Sequence, residues 1–121
     1  MNVDTQTGRR RGNPIATSTY SFFHFDAPDN PTVDQCIERA GEMGFDGVEV
    51  LEVQLHRRDA GYLRSLKRRA FTLGLDLCGL SAHQGFLSPD AEVRRQNVAK
   101  TVASIELAYE LGIPTVRVNT G

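Results

Sequence analysis

The chain has 121 residues, 14 Lys+Arg against 15 Asp+Glu for a formal charge of −1, and 40% hydrophobic residues. That length suits one domain of roughly 100–200 residues, the charge balance lacks the basic footprint of a nucleic-acid binder, and the apolar fraction excludes a disordered chain. No apolar run approaches the roughly 20 residues of a membrane span, and two cysteines, Cys36 and Cys78, read as reduced thiols of a cytoplasmic protein.

Residues 1–14 hold Arg9, Arg10 and Arg11 but almost no large apolar side chain. A twin-arginine export signal needs an apolar stretch after the arginines, and Gly12-Asn13-Pro14 stands there instead. A disordered, solvated tail is expected over 1–14. Ile15 to Phe22 is rich in β-branched and aromatic residues and predicts a first strand over 15–22. After a loop with Pro28 and Pro31, Thr32-Val33-Asp34-Gln35 has the form of a capping box. Val33, Ile37, Ala40 and Met43 then make an apolar stripe at helical spacing, with Gly44 as the stop. Residues 47–53 predict the second strand. Asp59 is a cap for a second helix whose inward residues are Leu63, Leu66, Ala70 and Leu73, closed by Gly74. Residues 75–80 predict the third strand. Ser88-Pro89-Asp90 opens a third helix, with an inward stripe expected at Val93, Val98, Val102, Ile105 and Ala108 and an end at Gly112. Residues 115–119 predict the fourth strand.

Three segments align without gaps: 42–50, 72–80 and 110–118. Each is a helix end, a glycine suited to φ > 0, a large apolar residue, a turn residue and a strand. Such a β-α repeat implies parallel strands joined by crossover helices. A doubly wound sheet usually carries a glycine-rich loop after its first strand, and residues 20–30 contain no glycine. The reading is therefore α/β, a parallel (β/α)8 TIM barrel. Such a barrel needs about 250 residues, so only its first four strands and three helices are expected in residues 15–121.

Barrel chemistry lies at the C-terminal ends of the strands. Those positions hold Tyr20, Phe22 and His24, then Glu49, Glu52 and His56, then His83 and Gln84, and finally Asn119. All three histidines fall in this set, and histidine is both a common general acid or base and a common metal ligand. His83 directly follows an apolar strand and precedes Gly85. Along the second strand Val48, Val50 and Glu52 share one face and Glu49, Leu51 and Val53 the other. Apolar partnership nominates Glu52 for the interior. The basic pairs 57–58, 68–69 and 94–95 read as solvated helix surface, and no Ser-His-Asp, CxxC or P-loop pattern occurs.

Taken together, Ser18-Thr19-Tyr20-Ser21-Phe22, Gly44-Phe45-Asp46-Gly47-Val48-Glu49 and Ser81-Ala82-His83 with its long following helix resemble the xylose-isomerase-like TIM-barrel superfamily. Sugar-phosphate isomerases/epimerases, ketose 3-epimerases and endonuclease-IV-type enzymes belong to it. The resemblance implies one divalent ion (Mn, Mg, Co or Zn) held by Glu, Asp, His and Glu of strands five to eight. Its ligands are expected beyond residue 121, and no residue of this chain is assigned to metal. Endonuclease-IV-type members add a metal-binding His after strand three and another after strand four. His83 matches the first position, but Asn119 stands at the second, which favours the sugar branch. Glu49 matches the family's strand-two acid, so resemblance and alternation nominate different glutamates and both are kept.

The implied function is that of a metal-dependent sugar or sugar-phosphate isomerase or epimerase, abstracting a proton next to a carbonyl. His83 and Glu49 are the catalytic candidates; Tyr20, Phe22, Glu52, His56 and Asn119 are the substrate-binding ones. The alternatives are a non-catalytic barrel fragment or binding module, and an endonuclease-IV-like zinc phosphodiesterase. The expected partner is a small sugar or polyol, with no nucleic acid and no membrane. Unpaired parallel edges would make the 121 residues alone an inactive homo-oligomer.

Overall fold

The computed structural model describes residues 2–3, 10–24 and 26–120 of the chain. Two short strands, β1 (Asn2–Val3) and β2 (Arg10–Arg11), pair antiparallel. The tail expected over 1–14 otherwise falls mostly outside the described residues. From there the order is β3 (Ala16–Ser18), α1 (Val33–Glu42), β4 (Gly47–Leu51), α2 (Ala60–Thr72), β5 (Asp76–Ser81), α3 (Ala91–Leu111) and β6 (Val116–Arg117). Among the described residues no helix is long and apolar enough to cross a membrane.

The sequence repeat is one hydrogen-bonded turn used three times. Gly44, Gly74 and Gly112 take φ of 82°, 70° and 69°, where a Cβ would be strained. The next residue then reaches back to an alanine in the last helical turn. Phe45, Leu75 and Ile113 donate their N–H to the carbonyls of Ala40, Ala70 and Ala108 at 3.0, 2.9 and 2.8 Å. That bond satisfies an orphan helical carbonyl and aims an apolar side chain at the core just before the strand begins. The helix starts are equally explicit. Thr32 Oγ1 accepts from the Gln35 N–H and Gln35 Oε1 from the Thr32 N–H, completing the expected capping box. Asp59 and Asp90 cap α2 and α3 through the N–H groups of Tyr62 and Glu92.

β3, β4, β5 and β6 form one parallel sheet in sequential order. α1 packs on α2 and α2 on α3. Val33, Ile37 and Ala40 of α1 and Leu63, Leu66 and Ala70 of α2 join Val48, Val50, Leu77 and Leu80 in a single buried cluster. Each fully buried Leu or Ile there contributes roughly 1.5–3 kcal/mol. Sequential strand order with successive helices stacked side by side is the arrangement of a barrel wall.

Several element ends differ from the sequence expectation. β3 stops at Ser18, not residue 22, and a 3₁₀ turn covers Thr19–Phe22. The cause is a buried side chain: Thr19 Oγ1 accepts the Leu51 N–H at 2.9 Å and takes the place of a ladder carbonyl. β4 likewise gives way after Leu51 to a 3₁₀ turn over Glu52–Gln54. Met43 and Leu73, placed inward by periodicity, sit at helix ends and are 62% and 42% exposed. The larger correction concerns α3. Of the expected stripe only Ala108 is buried, beside Ser104, Leu107 and Leu111, while Val93, Val98, Val102 and Ile105 are exposed. Two leucines, an alanine and a serine face inward, whereas the stripe of β-branched residues lies on the far side.

Candidate functional site

Strand register decides which side chains converge. Ser18 pairs with Glu49 and Glu49 with Gly79, giving one cross-strand row. Leu51 pairs with Ser81 and Ser81 with Arg117, giving a second row one step nearer the C-terminal ends. Both rows lie on the face opposite the helices, because Val48, Val50 and Leu80 occupy the intervening positions. A register shift at Val48/Glu49 sets Glu49 opposite Gly79 with Cys78 as the extra residue. A Cβ on Gly79 would lie 3.3 Å from Glu49 Cγ, so the missing side chain makes room for the glutamate. Burial raises the Cys78 thiol, and the carboxylates of Glu49 and Asp76 add to the shift.

Above these rows a cavity of about 600 Å³ opens at the C-terminal ends of the strands. Glu49, Ser81, His83 and Arg117 supply its polar groups. Tyr20, Phe23, Leu51 and Val53 supply its apolar wall, with the Tyr20 and Phe23 rings stacked at 6.4 Å. Arg117 ties the polar side together. Its Nη1 donates to Ser81 Oγ at 2.7 Å and lies 3.3 Å from His83 Nε2, and its Nη2 donates to Asn119 Oδ1 at 2.9 Å. A guanidinium carries only donors, so Nε2 of His83 accepts and Nδ1 bears the ring hydrogen.

The cavity therefore brings together Tyr20, Glu49 and His83, with Asn119 joined to it through Arg117. The competition between the two glutamates resolves by geometry. Glu49 faces the cavity, while Glu52 turns to the helix layer, accepting from Arg58 Nη1 at 2.9 Å and Ser104 Oγ at 2.6 Å. Phe22 does not line the cavity. The 3₁₀ turn breaks the strand alternation, and Phe23 takes the wall position instead. His56 lies on the helix side, its ring 4.9 Å from that of Tyr62, whose hydroxyl donates to Asp34. The backbone of His24 is held by Asn30, which accepts from its N–H and donates to its carbonyl.

Sequence reasoning missed Ser18, Phe23, Ser81 and, most consequentially, Arg117. The signal for Arg117 was present, because a charged residue between Val116 and Val118 in a strand needs a reason, as the strand-two glutamates did. The divalent ion implied by the family meets no cluster of three or more His, Cys, Asp or Glu side chains among the described residues.

Residues 37–121 match the family described as xylose isomerase-like TIM barrel. No curated protein matches the chain. Among solved structures, it is similar to a D-psicose 3-epimerase from Clostridium cellulolyticum H10 crystallised with D-tagatose. The identity is 19% and the TM-score 0.70, over 88% of this chain and 37% of that one. A probable 3-DHS dehydratase, AsbF, from Bacillus anthracis matches at 18% identity and TM-score 0.64, over 90% of this chain and 39% of that one. A fusion of a xylose isomerase-like TIM barrel with 4-hydroxyphenylpyruvate dioxygenase matches at 21% identity and TM-score 0.67, covering 88% and 16%. At such identities the likeness establishes the fold. The chain spans less than two-fifths of the length of each of these structures.

Proposed function

The chain belongs to the xylose isomerase-like TIM barrel family, and from that premise we propose that its cavity is one wall of a sugar isomerase or epimerase site. The observation that carries the reading is the meeting of a carboxylate, an imidazole, a hydroxyl and a guanidinium with an aromatic wall at the C-terminal ends of the strands. Stacked aromatic rings suit the C–H face of a sugar, and the polar groups suit its hydroxyl and carbonyl oxygens. The epimerase among the structural neighbours supports the same substrate class.

The proposed step is proton transfer next to a carbonyl. A Glu49 carboxylate oxygen takes the proton from the carbon beside the substrate carbonyl, and the C–H electron pair moves into the new C=C bond as the carbonyl becomes an enediolate. His83 Nδ1–H donates a hydrogen bond to the oxygen that gains charge. A proton delivered to the opposite face by a second acid, outside these 121 residues, gives the epimer; return of the proton from Glu49 to the former carbonyl carbon, with a proton moving between the oxygens, gives the isomer. We propose that a divalent ion belongs to the complete site, on ligands outside these 121 residues. The wider proposal is a cytoplasmic enzyme with a small sugar or polyol as partner, no nucleic acid and no membrane, and self-association through the β3 and β6 edges of the sheet.

The test takes the longest reading frame that contains this chain and incubates it with divalent metal and a panel of ketoses in deuterium oxide. Deuterium should appear at the carbon beside the carbonyl of at least one sugar. Glu49→Gln should slow that exchange by about 10²-fold or more. A folded protein that exchanges no ketose overturns the reading.

A further inference from the structure

Arg117 stands in the sheet, whereas the other arginines after residue 11 lie on the helices or in the loop before α2, and four of those pair with a carboxylate. Arg57, Arg58, Arg69 and Arg95 each pair with a carboxylate: Asp59, Glu52, Asp34 with Glu38, and Glu92. Arg117 has no carboxylate partner among the described residues. Its three contacts are neutral acceptors, Ser81 Oγ, His83 Nε2 and Asn119 Oδ1, drawn from β5, the turn after it and the segment after β6. These contacts use both Nη1 hydrogens and one on Nη2. The Nε hydrogen and the second Nη2 hydrogen meet no acceptor among the described residues.

Three features together point to a ligand. Arg117 is exposed, and its guanidinium is oriented by side-chain hydrogen bonds, one of them from Nη1 to Ser81, which is 1% exposed. It lines the cavity itself. Two of its five donors meet no acceptor among the described residues, and two guanidinium donors are what a planar oxyanion engages. We infer that Arg117, pre-oriented by Ser81, His83 and Asn119, is an oxyanion subsite, so that the substrate is a ketose bearing a carboxylate or phosphate group.

The inference rests on the reading of this cavity as a ketose site and narrows its substrate class. It also sets an orientation. Glu49 lies on β4 and Arg117 on β6, at opposite sides of β5, so the two faces of the cavity carry opposite charge. An anionic substrate would point its charged group towards β6 and its reacting carbon towards β4. The carboxylate that attacks is then kept apart from the charge that anchors.

Calorimetric titration of the longest reading frame containing this chain tests it. The probes are a neutral ketose, the corresponding keto sugar acid and the corresponding phosphate ester, each at low and higher salt, with acetate and inorganic phosphate alone as further probes. At least one charged ketose should bind about 10-fold or more tightly than the neutral one, with the advantage shrinking as salt rises. The tighter of the two charged arms identifies the anion. Arg117→Gln should cut the charged-to-neutral ratio to below about threefold, and Arg117→Lys, which keeps the charge without the fork, should leave an intermediate ratio. Equal binding of neutral and charged ketoses overturns the subsite and leaves the ketose reading standing. Arg117-dependent binding of acetate or phosphate with no ketose bound does the reverse. A ratio that survives Arg117→Gln also overturns the subsite. If that variant does not fold, the wild-type ratio, its salt dependence and the lysine variant decide.

Discussion

The two faces of the four-stranded sheet are written by alternate residues of the same strands, yet they obey different rules. Towards the helices, Val48, Val50, Leu77 and Leu80 are buried in one apolar cluster. On the other face stand Ser18, Glu49, Ser81 and Arg117, the polar and charged groups around the cavity. One face is closed by packing inside the chain; the other is held by hydrogen bonds between side chains and remains open. The first holds the structure together, and the second presents chemistry on it.

Substitutions should separate the faces by size of effect. On the helix side, Leu66→Ala or Ile37→Ala removes a side chain that is fully buried. Chemical denaturation should show a loss of about 2–5 kcal/mol for each. A loss below about 1 kcal/mol would mean that this cluster does not carry the stability assigned to it.

A pH experiment probes the same side. Burial pushes the Cys36 thiol up to about 11, with Arg39 acting weakly in the opposite sense. A raised folded-state value means that the native chain holds this proton more tightly than the unfolded chain. Stability from this group is therefore complete below about pH 9 and is lost as pH rises through about 11, a fall of about 2–3 kcal/mol. Cys36→Ala should remove that alkaline limb from a stability–pH curve. Persistence of the full limb in the variant would assign it to other groups.

The cavity side should respond far less in stability. Ser81→Ala should cost about 1 kcal/mol, the value of one lost hydrogen bond from Arg117. Glu49→Gln should stay within about 0.5 kcal/mol of wild type in denaturant, even where it should slow deuterium exchange. If Glu49→Gln proves as costly as Leu66→Ala, Glu49 is a structural residue and the contrast between the faces fails.

Much of the frame is legible along the chain because it rests on short-range rules. The capping box at Thr32 and the stops at Gly44, Gly74 and Gly112 involve residues within one or two helical turns, so spacing alone reveals them. α3 was misjudged because both sides of this helix carry apolar residues. Periodicity at Val93, Val98, Val102 and Ile105 competes with the neighbouring positions Ser104, Leu107 and Leu111, and the fold buries the latter with Ala108. The candidate cavity is legible in part. Tyr20, Glu49 and His83 stand at strand ends and line it, whereas a 3₁₀ turn puts Phe23 on its wall in place of Phe22 and His56 packs beside the Tyr62 ring.

The amino-acid sequence by itself determined the order of strands and helices after residue 14, where each helix starts and stops, and the parallel β/α class. Those depend on backbone hydrogen bonds and side-chain volumes acting over a few residues. Only the tertiary structure decided between Glu49 and Glu52. That choice turns on the register shift that sets Glu49 opposite Gly79 and on the pull of Arg58 and Ser104 upon Glu52. It also decided the place of Arg117. Its contacts with Ser81 and His83 span 36 and 34 residues of sequence, a distance over which no local pattern reports contact.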